Sequence, residues 1–288
     1  MSQAPAEVTA RVARLFIYPV KSCAGVEVSE ALLTETGFDL DRAWMAVDAE
    51  GDFVSQRQLP RMSLIHPQVK HSEVVLRAPG MLALHLRIDT VEEPATVRVW
   101  DDVVPAFDMG DLAAQWFSDF LGQKLRLVRF DPEHRRLSNM KWTQGVEAPN
   151  QFGDGFPLLV ASEASLQELN RRLEAKGHAP VGIERFRPNI VLSGIEAHDE
   201  DRLGDIRIAA SGGDVVLRPV KPCGRCPIPD IDPGTAQSSP EVGDTLRDYR
   251  RNEILGGAIS FAMNAIAIEG IDRVVKTGQP VTSSWRFD

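Results

Sequence analysis

Cys223 and Cys226, in the run Cys223-Gly224-Arg225-Cys226-Pro227, are two of only three cysteines in a chain of 288 residues. A Cys-x-x-Cys pair serves as half of a zinc site, as a redox dithiol, or as a frame that presents one thiolate to something else. Structural zinc takes four Cys or His ligands, but the third cysteine is Cys23, and His66, His71, His85, His134, His178 and His198 all lie well before the pair. Zinc would need ligands scattered along the chain. A thioredoxin-like dithiol wants its first cysteine at a helix N-terminus, whereas Pro227 and Pro229 follow Cys226 too closely for a helix and make the segment a loop. Two inert thiols at a strand end remain a consistent reading, since free cysteine is among the most buried residue types. Against it stand Lys221 and Arg225, two cations beside the thiols; cations favour a thiolate, which is a metal ligand or a nucleophile.

Four other clusters carry groups suited to an anion. Lys21 and Ser22 leave an apolar strand in a turn closed by Gly25, where ammonium, hydroxyl and backbone N–H groups can converge on a phosphate. Arg42 stands directly before a strand, and Arg57 and Arg61 follow the next hairpin arm. Arg187 and Asn189 flank Pro188 at the mouth of another strand. Arginine's planar fork suits phosphate or carboxylate, and Asn189 can meet a heteroaromatic edge or cap the turn. Each cluster taken singly also fits a bland role: a solvated lysine, a surface ion pair, a turn cap.

The elements that must position these groups are mostly strands. Residues 10–20, 26–37, 73–78, 82–88 and 96–107 read as strands at short spacing, and residues 43–58 read as a hairpin with Asp48, Glu50 and Gly51 at its turn. Such spacing fits a barrel or sandwich. Two segments have helical period. Leu112, Trp116, Phe117, Phe120 and Leu121 give one apolar face; Leu166, Leu169 and Leu173 give another, with Ser162 as N-cap and Gly177 beyond the C-terminus. The later chain returns to strands in RPNIVLSG, DIRIAASG, DVVLRPV and ISFAMNAIAIEG, and the polar stretch 135–155 marks a boundary between two lobes. The sum is an α+β, β-dominated protein.

Composition narrows the partners. With 43% hydrophobic residues the chain can bury a large core, and 32 Lys+Arg against 41 Asp+Glu give a net charge of −9, which disfavours nucleic acid or an anionic membrane as a partner. An anionic small ligand would need a local basic pocket. Three cysteines make no disulfide framework, the N-terminal residues lack a signal-peptide apolar run, and no stretch reaches the ~20 apolar residues of a bilayer span, so a cytoplasmic protein is expected.

Taken together, YPVKSCAGVEV, DRAWM, SEASLQELN, RFRPNIVLSG and CGRCPIPDIDPGTA, in this order from about residue 10 to about residue 282, resemble the MOSC-domain proteins, including the mitochondrial amidoxime-reducing component and its bacterial relatives. Gly234 and Thr235 stand in the reverse of the family's usual order. The resemblance implies an N-terminal β-barrel-like domain over 9–130, a MOSC β-barrel domain with a few flanking helices over 131–285, and a molybdenum cofactor (molybdopterin) between them. By the same resemblance Cys226 is the catalytic thiolate ligand of molybdenum. Lys21, Ser22, Arg42 and Arg187 fall where the family holds the pterin and its phosphate, with Asn189 and Arg225 beside them and the backbone of Gly155 and Phe156 in contact. Cys223 is not implied as a ligand.

The implied reaction is reduction of N-hydroxylated compounds such as amidoximes, hydroxylamines and N-hydroxylated base analogues. Electrons must come from outside, because no G-x-G-x-x-G follows a strand and no four-cysteine ferredoxin segment is present, so a separate ferredoxin or flavoprotein reductase is expected as donor. The alternative is a sulfur-carrier or cofactor-handling protein using Cys226, since MOSC domains also end the molybdenum cofactor sulfurases. A binding module without chemistry is a third reading, set against the intact set of Lys21, Arg42, Arg187 and Cys226.

Overall fold

The Val8–Ile17 strand alternates buried and exposed residues at its start, then turns apolar on both faces. That pattern suits a strand covered first on one side and then on two. In the computed structural model, which describes residues 7–90 and 93–287, it lies inside a closed seven-stranded barrel. Around the barrel the order is Leu158–Ser162, Ile190–Ser193, Val8–Ile17, Pro280–Ser283, Ile206–Ala210, Gly213–Gly224 and Ala258–Glu269, which pairs back to Leu158–Ser162. The pairs are antiparallel except Val160↔Ile190, which is parallel. Inward side chains such as Val12, Leu15, Val160, Leu192, Ile208 and Leu217 fill the interior. Each fully buried aliphatic contributes about 1.5–3 kcal/mol.

On the outer face, Glu163–Ala175 and Glu241–Tyr249 press Leu169, Leu173, Val242 and Leu246 against Phe186 and Phe261, whose rings stack at 3.9 Å. Ser162 caps the first of these helices by accepting from the Ser165 N–H, and Gly177 follows in the left-handed region, both as expected. The second helix was not foreseen.

The other lobe packs a four-stranded sheet (Trp44–Val47, Arg126–Phe130, Asp102–Asp108, Pro94–Val99) and a three-stranded sheet (His66–Val69, Glu73–Arg77, Leu84–Arg87) around the Gly110–Leu121 helix. That helix buries Trp116, Phe117, Phe120 and Leu121 but exposes Leu112, which sits one position off the covered stripe. The expected hairpin over 43–58 is only half made. Asp48 forms the turn, accepting from Glu50 and Asp52 N–H groups, yet the return arm keeps a single bridge, Val47↔Phe53, before Gln58 folds Ser55 into a second turn. The expected strand 96–107 is a hairpin broken at Trp100-Asp101. The β-dominated α+β class stands. The Val8–Ile17 strand crosses the expected division at 130/131, because it closes the barrel of the later chain.

One buried acid makes the fold pH-sensitive. Glu200 is fully enclosed, receiving the Ser162 hydroxyl at 2.8 Å and the Ser165 hydroxyl at 2.6 Å. Burial, outweighing those donors, pushes its carboxyl up to about 7 from 4.5. The folded state therefore holds this proton more tightly than the unfolded chain does. The resulting stability is full below the unfolded value and is lost as pH rises through about 7. Urea denaturation should show wild type losing about 1–3 kcal/mol between mildly acidic and mildly alkaline pH, and Glu200→Gln flattening that slope. An unchanged slope in the variant would assign the dependence to other groups.

Candidate functional site

Between the two lobes lies a cleft lined by all nine residues singled out from sequence: Lys21, Ser22, Arg42, Gly155, Phe156, Arg187, Asn189, Arg225 and Cys226. Local backbone geometry delivers several of them. Past the end of the first barrel strand, Val20 bridges to Trp44, Lys21 N–H donates to Trp44 O and Arg42 N–H donates to Tyr18 O, which sets Lys21 and Arg42 side by side. Ser22, Arg42 and Arg187 adopt φ of 66°, 53° and 58°. Non-glycine residues in the left-handed region cost about 1 kcal/mol or more each and gather where function holds them.

Beneath two of the cleft's arginines lies Tyr18. Arg42 and Arg187 both place their guanidinium carbon 4.3 Å from its ring centre. Tyr18 is fully buried, donates its hydroxyl to Pro188 O at 3.1 Å and is kept neutral by that burial. Gly25 lies against the ring: a Cβ there would sit 2.4 Å from Tyr18 Cε1. Gly25→Ala should therefore tilt Tyr18 and the arginines above it, costing about 1–3 kcal/mol in urea denaturation and weakening anion binding in the same protein. Unaltered stability would mean the ring has room to move.

Two like charges on one ring need a reason. Arg42 is balanced by Asp41, at 2.5 Å, and also donates to Asn189 Oδ1 and Arg187 O. Arg187 has no carboxylate partner among the described residues and donates only to Cys23 O, at 2.5 Å. Desolvation, with Arg42 adding repulsion, lowers its guanidinium to about 10. Such a cation is poised for an incoming anion. Lys21, 5% exposed, donates to Phe152 O at 2.7 Å and pairs with Asp154. Burial lowers its ammonium despite that pairing. Desolvation would raise the Asp154 carboxyl, but Lys21, then Arg57 and Arg42, hold it well below the usual range.

Opposite these cations the Gly213–Gly224 strand runs out. Its pairing with Ala258–Glu269 slips between Pro222 and Gly224, Arg225 N–H donates to Ile259 O, and Pro227 opens the short Ile228–Asp230 turn. The prolines keep this segment out of an α-helix and admit only one short 3-10 turn, and Cys226 emerges half-buried as a free thiol in the cleft. Arg225 donates to Cys223 Sγ at 3.1 Å and to Phe186 O at 3.1 Å, leaving its buried Nε without a partner. Cys23, wholly buried, has its thiol pushed up to about 12 by desolvation. Among the described residues no three His, Cys, Asp or Glu side chains converge for a metal. A metal at Cys226 would have to bring its other donors with it.

Other sequence candidates fall elsewhere. Lys221 lies over Trp142 in an adjoining groove, and Arg61 stacks on Phe120 in the first lobe. Asn189 is 1% exposed and ties strands together, accepting from Leu159 N–H and donating to Phe16 O, so it positions Arg42 more than it presents a free amide. The cleft also contains Ser55, Arg57, Asp154 and Asn264, which sequence reasoning did not select for the site. Arg57 carried the right chemistry, but the unforeseen second turn brings it in. Asp154, between Gly153 and Gly155, offered only a loop signal.

A closed barrel joined to a second β-lobe, with five cations and two half-buried thiols, Cys223 and Cys226, lining the cleft between, makes a site suited to an anionic ligand that also takes a thiol. Residues 9–124 match the MOSC N-terminal beta barrel domain and residues 147–282 match the MOSC domain. The mouse mitochondrial amidoxime-reducing component 1 is 37% identical over 94% of this chain and 81% of its own length. The human mitochondrial amidoxime-reducing component 1 is 38% identical, over 83% of this chain and 72% of its own. The human molybdenum cofactor sulfurase is 29% identical over 84% of this chain and 29% of its own length. The chain belongs to the MOSC-domain family, in the two-domain arrangement of the amidoxime-reducing components.

Proposed function

We propose that the protein is a molybdenum-cofactor-dependent reductase of N-hydroxylated compounds. The observation that carries this reading is the convergence of Lys21, Arg42, Arg57, Arg187 and Arg225 with Cys226 in one cleft of a chain whose net charge is −9. The residues fit the cofactor on three counts. Arg187 lacks a carboxylate partner among the described residues, Arg225 Nε is an orphaned buried donor, and Cys226 is a soft thiol without a hydrogen-bond partner there, whereas Cys223 beside it receives Arg225. Arg187, Arg42, Lys21 and the Ser22 hydroxyl would take the phosphate and pterin, the Gly155 and Phe156 backbone would flank it, and Cys226 Sγ would ligate the metal. Bound there, the cofactor supplies the two-electron redox chemistry.

The chain's own contribution is placement and electrostatics. The rigid barrel fixes Cys226 at a strand end, and the partly dehydrated arginines hold charge in a low-dielectric setting where it counts for more than in water. A separate ferredoxin or flavoprotein reductase would deliver electrons, and the acidic surface would steer a basic face of it. No helix among the described residues is long and apolar enough to cross a membrane; a cytoplasmic site of action is part of the proposal.

Protein made in a molybdenum-replete host should carry about one molybdenum per chain and reduce benzamidoxime with an artificial reductant. Metal-free protein from that host would sink the reading. Likeness to the sulfurase keeps a second one in play, in which half-exposed Cys226 carries sulfur or hands on the cofactor. Such a carrier would bind molybdopterin and fail to reduce benzamidoxime.

A further inference from the structure

A second groove opens off the cleft and shares Asp154, Gly155 and Phe156 with it. It is lined by Trp100 on the hairpin turn after Pro94–Val99, by Trp142 in the turn-rich stretch 135–155 and by Lys221, which lies over Trp142. Trp100 is out of place as a turn residue. The first position of a two-residue hairpin turn with positive φ favours Gly or Asn, yet an indole stands there at φ 56°, 47% exposed. It fills no core. Its Nε1 instead donates to Asp154 Oδ1 at 3.4 Å, its ring meets Phe53 at 4.9 Å, and Arg57, which lines the cleft, lies 4.7 Å above it. Strained and exposed, it is braced toward the cleft mouth.

The opposite wall is built to match. Lys221 holds its ammonium 5.0 Å from the Trp142 ring centre and 6.0 Å from that of Phe156. Its carbonyl accepts from Asn264, a residue of the cleft, at 3.3 Å. The groove thus offers two indoles, each with a cation, Arg57 or Lys221, seated on one face, and it runs into the cavity that holds Cys226. The acids along it are partly answered, since Asp102 pairs with Arg136 at 2.7 Å and Asp154 with Lys21. Faces of this kind select flat π-systems, which stack on indole, over small alkyl groups, which gain little there.

We infer that this groove is the substrate subsite, and that Trp100 and Trp142 make the protein prefer planar aromatic N-hydroxylated compounds, with the ring against the tryptophans and the N–O group directed into the cleft. The inference rests on the cleft being the cofactor site. The ring is the handle by which substrate is oriented, so the tryptophans set specificity and take no part in the chemistry.

Calorimetry on the cofactor-loaded protein, with benzamidoxime and acetamidoxime as probes, tests this apart from turnover. Wild type should bind the aryl compound about tenfold more tightly or better. Trp100→Ala and Trp142→Ala should each erase most of that preference, and the Trp→Phe variants should keep it. KM for benzamidoxime should rise in step. Because Trp100 sits on a solvent-facing turn, its alanine variant decides the matter even if Trp142→Ala fails to fold. Equal binding of the two compounds by wild type, or an unchanged preference in Trp100→Ala, overturns the subsite. Aryl preference without any reduction of benzamidoxime would leave the subsite standing and remove the reductase function.

Discussion

Cys226→Ser should lose benzamidoxime reduction by roughly three orders of magnitude while folding as wild type does. The two halves of that expectation come from different observations. Cys226 makes no hydrogen bond among the described residues and belongs to none of the apolar clusters, so exchanging sulfur for oxygen should move stability by no more than about 0.5 kcal/mol. Chemically the exchange is severe, because a serine hydroxyl is neither soft nor readily ionised and would replace a thiolate poorly as a metal ligand. Cys223→Ser is the matched control. That thiol packs with Phe186 and Phe261 and receives Arg225, so its loss should disturb the loop and cost activity about tenfold or less. Parallel measurements of kcat, molybdenum content and urea midpoint separate the two. Equal losses in both variants would mean that the pair acts as a dithiol, against the division of roles proposed for it.

Much of this site was legible because its parts are local. Lys21-Ser22, Arg42, Arg187-Pro188-Asn189 and Arg225-Cys226 each occupy a strand end, and a strand end is readable from a few residues of alternation followed by Pro or Gly. The exclusion of a helical dithiol needed only Pro227 and Pro229. What failed was whatever depended on distant contacts. Nothing within residues 8–17 says that they pair with 190–193 and 280–283, so the first strand's membership of the later barrel was invisible. Arg57 entered the cleft because Gln58 captures the Ser55 backbone N–H, a side-chain contact that overrides the alternation read as a hairpin arm.

Burial also hid two features. Glu200 reads as one more acid in a run of charged residues, and only the closing of the Ser162 turn over it takes it out of water. Leu112 reads as part of an apolar stripe, but the sheets cover an arc centred on Trp116, Phe117 and Phe120. The Glu241–Tyr249 helix is short and its apolar face is only Val242, Leu246 and Tyr249, a signal too brief to stand out without the Phe261 surface it rests on.

Arg187→Met should separate the stability of the fold from its capacity to hold an anion. Arg187 is charged in both folded and unfolded chains at neutral pH, and its depressed folded value, about 10 against 12.5, means that the charge is held at a cost in the folded state. With its folded value lowered, this base costs stability at all pH below about 10, and the cost fades only in strong alkali. Removing it should relieve about 1–2 kcal/mol, after discounting for solvent screening and for the lost stacking on Tyr18 and bond to Cys23 O. The anion-free variant should therefore melt at or slightly above the wild-type temperature. With phosphate in the millimolar range the order should reverse. Wild type, gaining an occupant between Arg187 and Arg42, should rise by several degrees, whereas Arg187→Met should barely respond and should purify with at least about tenfold less molybdenum. Arg187→Lys, keeping charge but not the planar fork, should fall between them. A phosphate response that survives in Arg187→Met would move the anion's seat toward Lys21 and Arg57, at the mouth of the cleft beside Asp154.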